Sequence, residues 1–221
     1  FQQGTPFVYQ GQEIGMTNIR LRSIKDYLDV SSIQNFERFL TGQPMDKRMR
    51  RIHHSSRDSA RTPMQWSGEK NAGFTEGTPW FRVNPNFHSI NAAMEEADPD
   101  SILHFYRVCL ALRKRSRTLL YGDYREYEPK NEQVYVYERA LKETRYLIFC
   151  SLSKREAAVQ VPKRFRGRTL RLMLSNYGPL SDFDHFDPDR YPMEELPDGL
   201  QLRPYEARIY EGKVPGEKRD A

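Results

Sequence analysis

Gly4-Thr5-Pro6-Phe7-Val8-Tyr9-Gln10-Gly11-Gln12-Glu13-Ile14-Gly15-Met16-Thr17-Asn18 opens with a short apolar run and passes directly into a glycine-containing loop. Residues 5–9 read as a buried strand. A run that is apolar without alternation fits a parallel strand covered on both faces. No partner strand precedes it, so the run is not expected to begin a self-sufficient sheet. Further on, Arg57-Asp58-Ser59-Ala60-Arg61-Thr62-Pro63-Met64-Gln65-Trp66 sets two arginines and a carboxylate close together beside an aromatic residue. These two stretches decide how the rest of the chain is read.

Between and after them the pattern is helical and then irregular. Residues 31–40 and 44–53 read as two short helices separated by Gly42 and Pro44. Residues 54–90 are irregular and carry three well-separated aromatics, Trp66, Phe74 and Trp80. A loop of that length inside a compact domain is usually functional. Asp98-Pro99-Asp100-Ser101 then offers N-cap residues, and Ile102, Phe105, Tyr106, Cys109 and Leu112 recur at helical spacing up to Arg113-Lys114-Arg115. This predicts a helix over 102–116. Its apolar side needs a partner, and the expected one is the strand at 5–9.

After Tyr121 the period becomes alternating. Strands are expected at 122–128, 133–139, 145–151, 157–161, 168–175 and 205–211. Short strands at this density imply an antiparallel sandwich. The acidic, Pro/Gly-containing insert 178–199 reads as a surface loop. The expected organisation is residues 1–117 as one unit, 118–212 as an all-β domain and 213–221 as a tail.

Composition narrows the function classes. Aromatic residues make up 12% of the 221, enough to furnish a core or line a carbohydrate-sized pocket. No run approaches the ~18–20 apolar residues that a membrane span needs, so no membrane partner is expected. Phe1-Gln2-Gln3-Gly4 has neither the charged leader nor the apolar core of a secretory signal. Cys109 and Cys150 fall in helix- and strand-like segments, which suits free thiols in a reducing, cytoplasmic setting. The net charge of +5 is spread over three unrelated basic clusters, so nucleic acid is not the expected partner.

Metal and cofactor chemistry finds no footing. There is no phosphate-binding glycine loop. His53 and His54 are adjacent, so on a helix their side chains diverge by ~100° and cannot share an ion. Asp182, Asp184, Asp187 and Asp189 with His185 match no calcium-loop spacing and read as a solvated acidic loop. Arg57 stands out. A planar guanidinium near a pocket can hold sugar hydroxyls or a carboxylate that grips the sugar. On residue types alone it can equally be a structural, salt-bridged arginine.

Taken together, the motifs resemble those of the α-glucosidases of glycoside hydrolase family 13, in the oligo-1,6-glucosidase, dextran glucosidase and trehalose-6-phosphate hydrolase group. Residues 4–18 and 56–66 resemble that group's two long motifs. Asn71-Ala72-Gly73-Phe74, Pro79-Trp80, Val83-Asn84-Pro85-Asn86 and Tyr205-Glu206-Ala207 extend the likeness. The resemblance implies the last strand and helix of a (β/α)8 barrel, with its long loop, followed by an all-β antiparallel sandwich. It implies retaining hydrolysis of an α-glucosidic bond at the non-reducing end of short oligosaccharides. In that reaction one carboxylate attacks the anomeric carbon and a second donates and recovers the proton.

The catalytic carboxylates of such an enzyme are expected upstream, and none is assigned in this chain. The missing upstream barrel segment is accordingly an expected partner. By the resemblance Arg57 would hold the −1 glucose, and Ser31 would lie near the +1 side, where relatives often carry Glu. Gln12 replaces the first of a usual Glu pair, and Ser59 stands where Asn is commoner. No cofactor is implied. The alternative expectation is a stand-alone carbohydrate-binding or interaction module without catalysis.

Overall fold

The computed structural model describes residues 1–39, 41–178 and 191–215. The acidic cluster at 182–189 and the end of the expected tail lie outside them. Two compact units emerge. One comprises residues 8–103, and the other joins residues 1–7 to the chain from His104 onward.

The first unit is assembled from short helices and turns. Helix α1 (Val30–Gln34) begins where the Asp29 side chain accepts the Ser32 backbone N–H, and it runs on into a π-helical turn, Asn35–Phe39. Helix α2 (Met45–Ser55) follows Pro44, whose missing N–H is harmless at a helix start. Asp46 and Arg50 pair one turn apart on its exposed face, worth a few tenths of a kcal/mol. Helix α3 (Ala92–Ala97) is capped by Asn91, which accepts the Met94 N–H at 3.0 Å. Ile19, Leu21, Tyr27, Phe36, Ile52 and Phe81 form the core of this unit. Burial of each contributes roughly 1.5–3 kcal/mol.

Residues 5–9 form no strand, contrary to expectation. Phe7 is 91% exposed, and Val8 and Tyr9 are exposed as well. A strand exists only through hydrogen bonds to a neighbour, and no described strand pairs with this run. Instead, Tyr9 donates its backbone N–H to Gln12 Oε1 at 3.0 Å and its hydroxyl to the Ala60 carbonyl at 2.6 Å. Gln12 therefore supplies an acceptor that closes this turn.

The second unit contains helix α4 (Ile102–Arg115, from residue 104), helix α5 (Arg117–Tyr121) and, among the described residues, eight strands. Ser116 separates the two helices by accepting the Leu119 N–H. The strands are β1 (Asp123–Tyr127), β2 (Val134–Leu141), β3 (Thr144–Ser151), β4 (Ala157–Gln160), β5 (Thr169–Ser175), β6 (Met193–Glu195), β7 (Gly199–Leu202) and β8 (Ala207–Lys213). Six of them make an antiparallel sheet in the order β1-β2-β3-β8-β5-β6, and β4 pairs with β7. Strands β6 and β7 were not expected. They arise in and just after the insert read as loop, where Leu196 and Leu202 are buried.

Alternation along β2 and β3 sends Val134, Val136, Leu147 and Phe149 to one face, against Val159 and Leu202 of the small sheet. Tyr137, Tyr146 and Ile148 point the other way, to Val108 and Leu112 of α4 and Leu119 of α5. The apolar stripe of α4 thus packs on the β-sheet and not on residues 5–9. The alternating strands offer a continuous apolar face, which the single run could not. A bulge at Leu172/Leu174 against β8 breaks the alternation in β5, so Met173 and Leu174 both join the helix-side core.

Several buried charges in this unit find partners close by. The Arg139 guanidinium donates to the carbonyls of Phe1 (2.7 Å), Leu119 (2.9 Å) and Gly122 (2.7 Å). Arg113 also reaches the Leu119 carbonyl, at 2.8 Å, with those of Gln2 and Gly4. Glu138 sits 2.8 Å from Arg145 and accepts the Tyr127 hydroxyl at 2.6 Å. Glu206 lies 2.9 Å from both Arg203 and Arg208.

Candidate functional site

The two residues singled out for substrate contact, Ser31 and Arg57, lie in the first unit and are fastened by one pair of buried carboxylates. Ser56 caps the 3-10 turn Arg57–Ala60 by accepting the Asp58 N–H at 3.2 Å. That turn buries Asp58, which is 1% exposed, and leaves Arg57 exposed. Asp58 Oδ2 accepts the backbone N–H groups of Leu28 (2.7 Å) and Asp29 (2.9 Å). Asp29 Oδ2 in turn accepts the Ser32 N–H at 3.1 Å and the Ser32 hydroxyl at 2.6 Å. Ser31 stands exposed in the first turn of the helix that Asp29 starts.

The electrostatics follow from this packing. Burial pushes the Asp29 carboxyl up. The hydrogen bonds from Ser32 and the Arg57 backbone, with the charge of Arg57, outweigh that and hold it below the usual carboxylate range. Asp29 therefore remains an anion that organises the loop. The Arg57 guanidinium makes no hydrogen bond or ion pair among the described residues, so the salt-bridged reading finds no partner there.

A cavity of about 330 Å³ lies on the Ser56 and Ser59 side of the Arg57 turn. Tyr9, Gly11, Met16 and Asn18 contribute to its wall. Gly11 has φ 89°, and a Cβ there would run into Met16, so the close turn requires glycine. The volume suits one small ligand.

The aromatics expected as a stacking wall are held on an ordered loop. Trp66 and Ser67 both donate their N–H groups to the Ala72 carbonyl. Asn71 Nδ2 bonds the carbonyls of Thr75 and Gly77, while Asn71 and Ala72 adopt φ near 55°. Trp66 and Trp80 are 54% and 59% exposed. Trp80 rests against Phe81, with ring centroids 5.6 Å apart.

Sequence reasoning missed the roles of Asp29 and Asp58. The Asp29-Val30-Ser31-Ser32 helix-start pattern carried a signal for the first. The second bonds across the fold, and nothing local announces it. Among the described residues no group of His, Cys, Asp or Glu side chains could hold a metal ion, and no helix is long and apolar enough to cross a membrane.

Comparison with known proteins identifies the family. The family model described as the alpha amylase catalytic domain matches residues 1–122, and that of the maltogenic amylase C-terminal domain matches residues 124–179. A probable oligo-1,6-glucosidase of Bacillus subtilis is 41% identical, over 95% of this chain and 35% of its own length. An oligo-1,6-glucosidase of Parageobacillus thermoglucosidasius is 38% identical over 96% of this chain and 36% of its own. Among solved structures, the isomaltulose synthase SmuA of Protaminobacter rubrum is 31% identical with a TM-score of 0.79, over 95% of this chain and 36% of that one. The chain thus spans little more than a third of the length of the relatives it matches.

Proposed function

The chain belongs to the α-amylase family of glycosidases, and on that premise we propose that it forms the C-terminal part of a retaining, exo-acting α-glucosidase. The reading is that the complete polypeptide removes glucose from the non-reducing ends of short oligosaccharides. Arg57 contacts the −1 glucose and Ser31 faces the +1 side. The carboxylates that break the bond lie outside these residues, so residues 1–221 alone are inactive and depend on the upstream barrel segment. The free thiols are the support for a cytoplasmic setting.

One observation carries the site assignment: an exposed arginine, unpaired among the described residues, projects from a turn that buried Asp58 anchors. A guanidinium presented from an anchored turn can donate two parallel hydrogen bonds to a sugar hydroxyl pair or a carboxylate. Asp58 and Asp29 would set its position and that of Ser31 together.

The test is hydrolysis of p-nitrophenyl α-glucoside and isomaltose by the complete polypeptide, alongside residues 1–221. The reading expects turnover with retained anomeric configuration by the former and none by the latter. Turnover by residues 1–221 alone would place the catalytic groups inside them and overturn the division of labour. Sugar binding by the complete polypeptide without turnover would favour a binding module.

A further inference from the structure

A second cavity, of about 700 Å³, opens in the first unit where the C-terminal end of α2 meets the loop at 17–20 and the turn at 84–86. Its lining contains Arg20, Arg50, His53 and His54 and not one carboxylate. The two arginines on a concave surface of this size make a field that favours an anion, and the two imidazoles add hydrogen-bonding nitrogens to the wall.

The C-terminus of α2 would ordinarily oppose this, because its free carbonyls carry partial negative charge. Here they are occupied. Asn18 Nδ2 donates to the His53 carbonyl at 3.0 Å and to the His54 carbonyl at 3.2 Å. His53 Nε2 bonds the Leu21 carbonyl at 2.9 Å, which fixes that ring in the wall. Asn84 Nδ2 bonds the Thr17 carbonyl at 2.9 Å. The amide nitrogens of both asparagines thus hold the walls together, and their side-chain oxygens are left as acceptors for hydroxyl groups. Arg50 is tied only to Asp46, an exposed pair of the kind that contributes little. Arg20 makes no hydrogen bond or ion pair among the described residues.

We propose that this cavity is an oxyanion site that takes a phosphate group, either free or carried on a sugar. Arg20, Arg50 and His54 face the phosphate oxygens. Asn18 and Asn84 present acceptors to the hydroxyls of an attached polyol. The inference does not depend on Arg57 or on glycosidase activity.

Calorimetric titration of the full polypeptide with inorganic phosphate, glucose 6-phosphate and glucose tests it. Phosphate and glucose 6-phosphate should bind and glucose should not. Tighter binding of glucose 6-phosphate identifies a sugar phosphate as the ligand, and equal binding identifies free phosphate. Arg20→Gln and His54→Gln, both at exposed positions, should leave the melting temperature unchanged. Arg20→Gln should weaken phosphate binding about tenfold, the effect of losing one charged hydrogen bond. Arg155→Gln, at an exposed position in the other unit, serves as the control. Absence of phosphate binding, glucose binding as well as glucose 6-phosphate, or an equal loss in Arg155→Gln and Arg20→Gln would overturn the proposal. The last result would mean diffuse attraction to a basic protein.

Discussion

Asp58 Oδ2 accepts the backbone N–H of Asp29 at 2.9 Å, and each of these buried carboxylates then governs one candidate substrate contact. Asp58 sits in the turn that presents Arg57, and Asp29 starts the helix that presents Ser31. Asp58→Ala would strand the N–H groups of Leu28 and Asp29. The expected cost is about 1–3 kcal/mol of stability, from one buried donor and one part-buried donor left without an acceptor. Denaturant unfolding of the variant measures it. In the complete polypeptide the same change should also lower kcat/KM, because both loops lose their anchor.

Ser31→Glu addresses the +1 side. The new carboxylate falls in the first turn of α1, where negative charge suits the helix dipole, so the fold should tolerate it. Competition between isomaltose and maltose should then show an altered ratio of kcat/KM, while the requirement for a non-reducing glucose persists. An unchanged ratio would remove Ser31 from the leaving-group side.

Glu206 gives the β-domain a defined response to acid. Burial pushes its carboxyl up, but hydrogen bonds from Arg203 and Arg208 outweigh that and pull it down to about 2. The folded value lies below the ordinary 4.5. Its contribution is therefore complete above about pH 4.5 and is lost as pH falls toward 2. The loss is on the order of 3 kcal/mol. Glu206→Gln should be less stable at neutral pH and lose less stability on acidification, as unfolding free energies at several pH values would show.

Gly122 stands where α5 hands over to β1, and a Cβ there would meet the carbonyl oxygens of Thr118 and Ala140. The Gly122 carbonyl also accepts from buried Arg139 at 2.7 Å. Gly122→Ala must move backbone on one side or the other. A loss of about 1–3 kcal/mol is expected in thermal or denaturant unfolding.

How far these features could be read in advance depended on their range. Helix α4 and the strands β1 to β5 announced themselves through period and capping, because Ile102–Arg115 and the alternating Val134-Tyr135-Val136-Tyr137 carry their pattern locally. The partner of α4 did not, since an apolar stripe says that it is covered and not by what. Residues 5–9 have the composition of a strand but no described strand to pair with, and composition supplies no hydrogen bonds. Strand β6 is only three residues long, below the length at which alternation is visible. Arg57 was singled out by its motif, while the carboxylate that anchors its turn was not. The link from Asp58 to Leu28 spans thirty residues, and no local pattern encodes it.

The account rests on Arg57 as a sugar contact, and steady-state kinetics of Arg57→Ala in the complete polypeptide test it most directly. The side chain is exposed and makes no hydrogen bond or ion pair among the described residues, so melting should fall only slightly, by the loss of its attraction to Asp29. The expected fall in kcat/KM on an α-glucoside is roughly 2–4 kcal/mol in transition-state terms, about thirty- to several-hundred-fold. A kcat/KM equal to that of the unsubstituted enzyme would contradict the assignment.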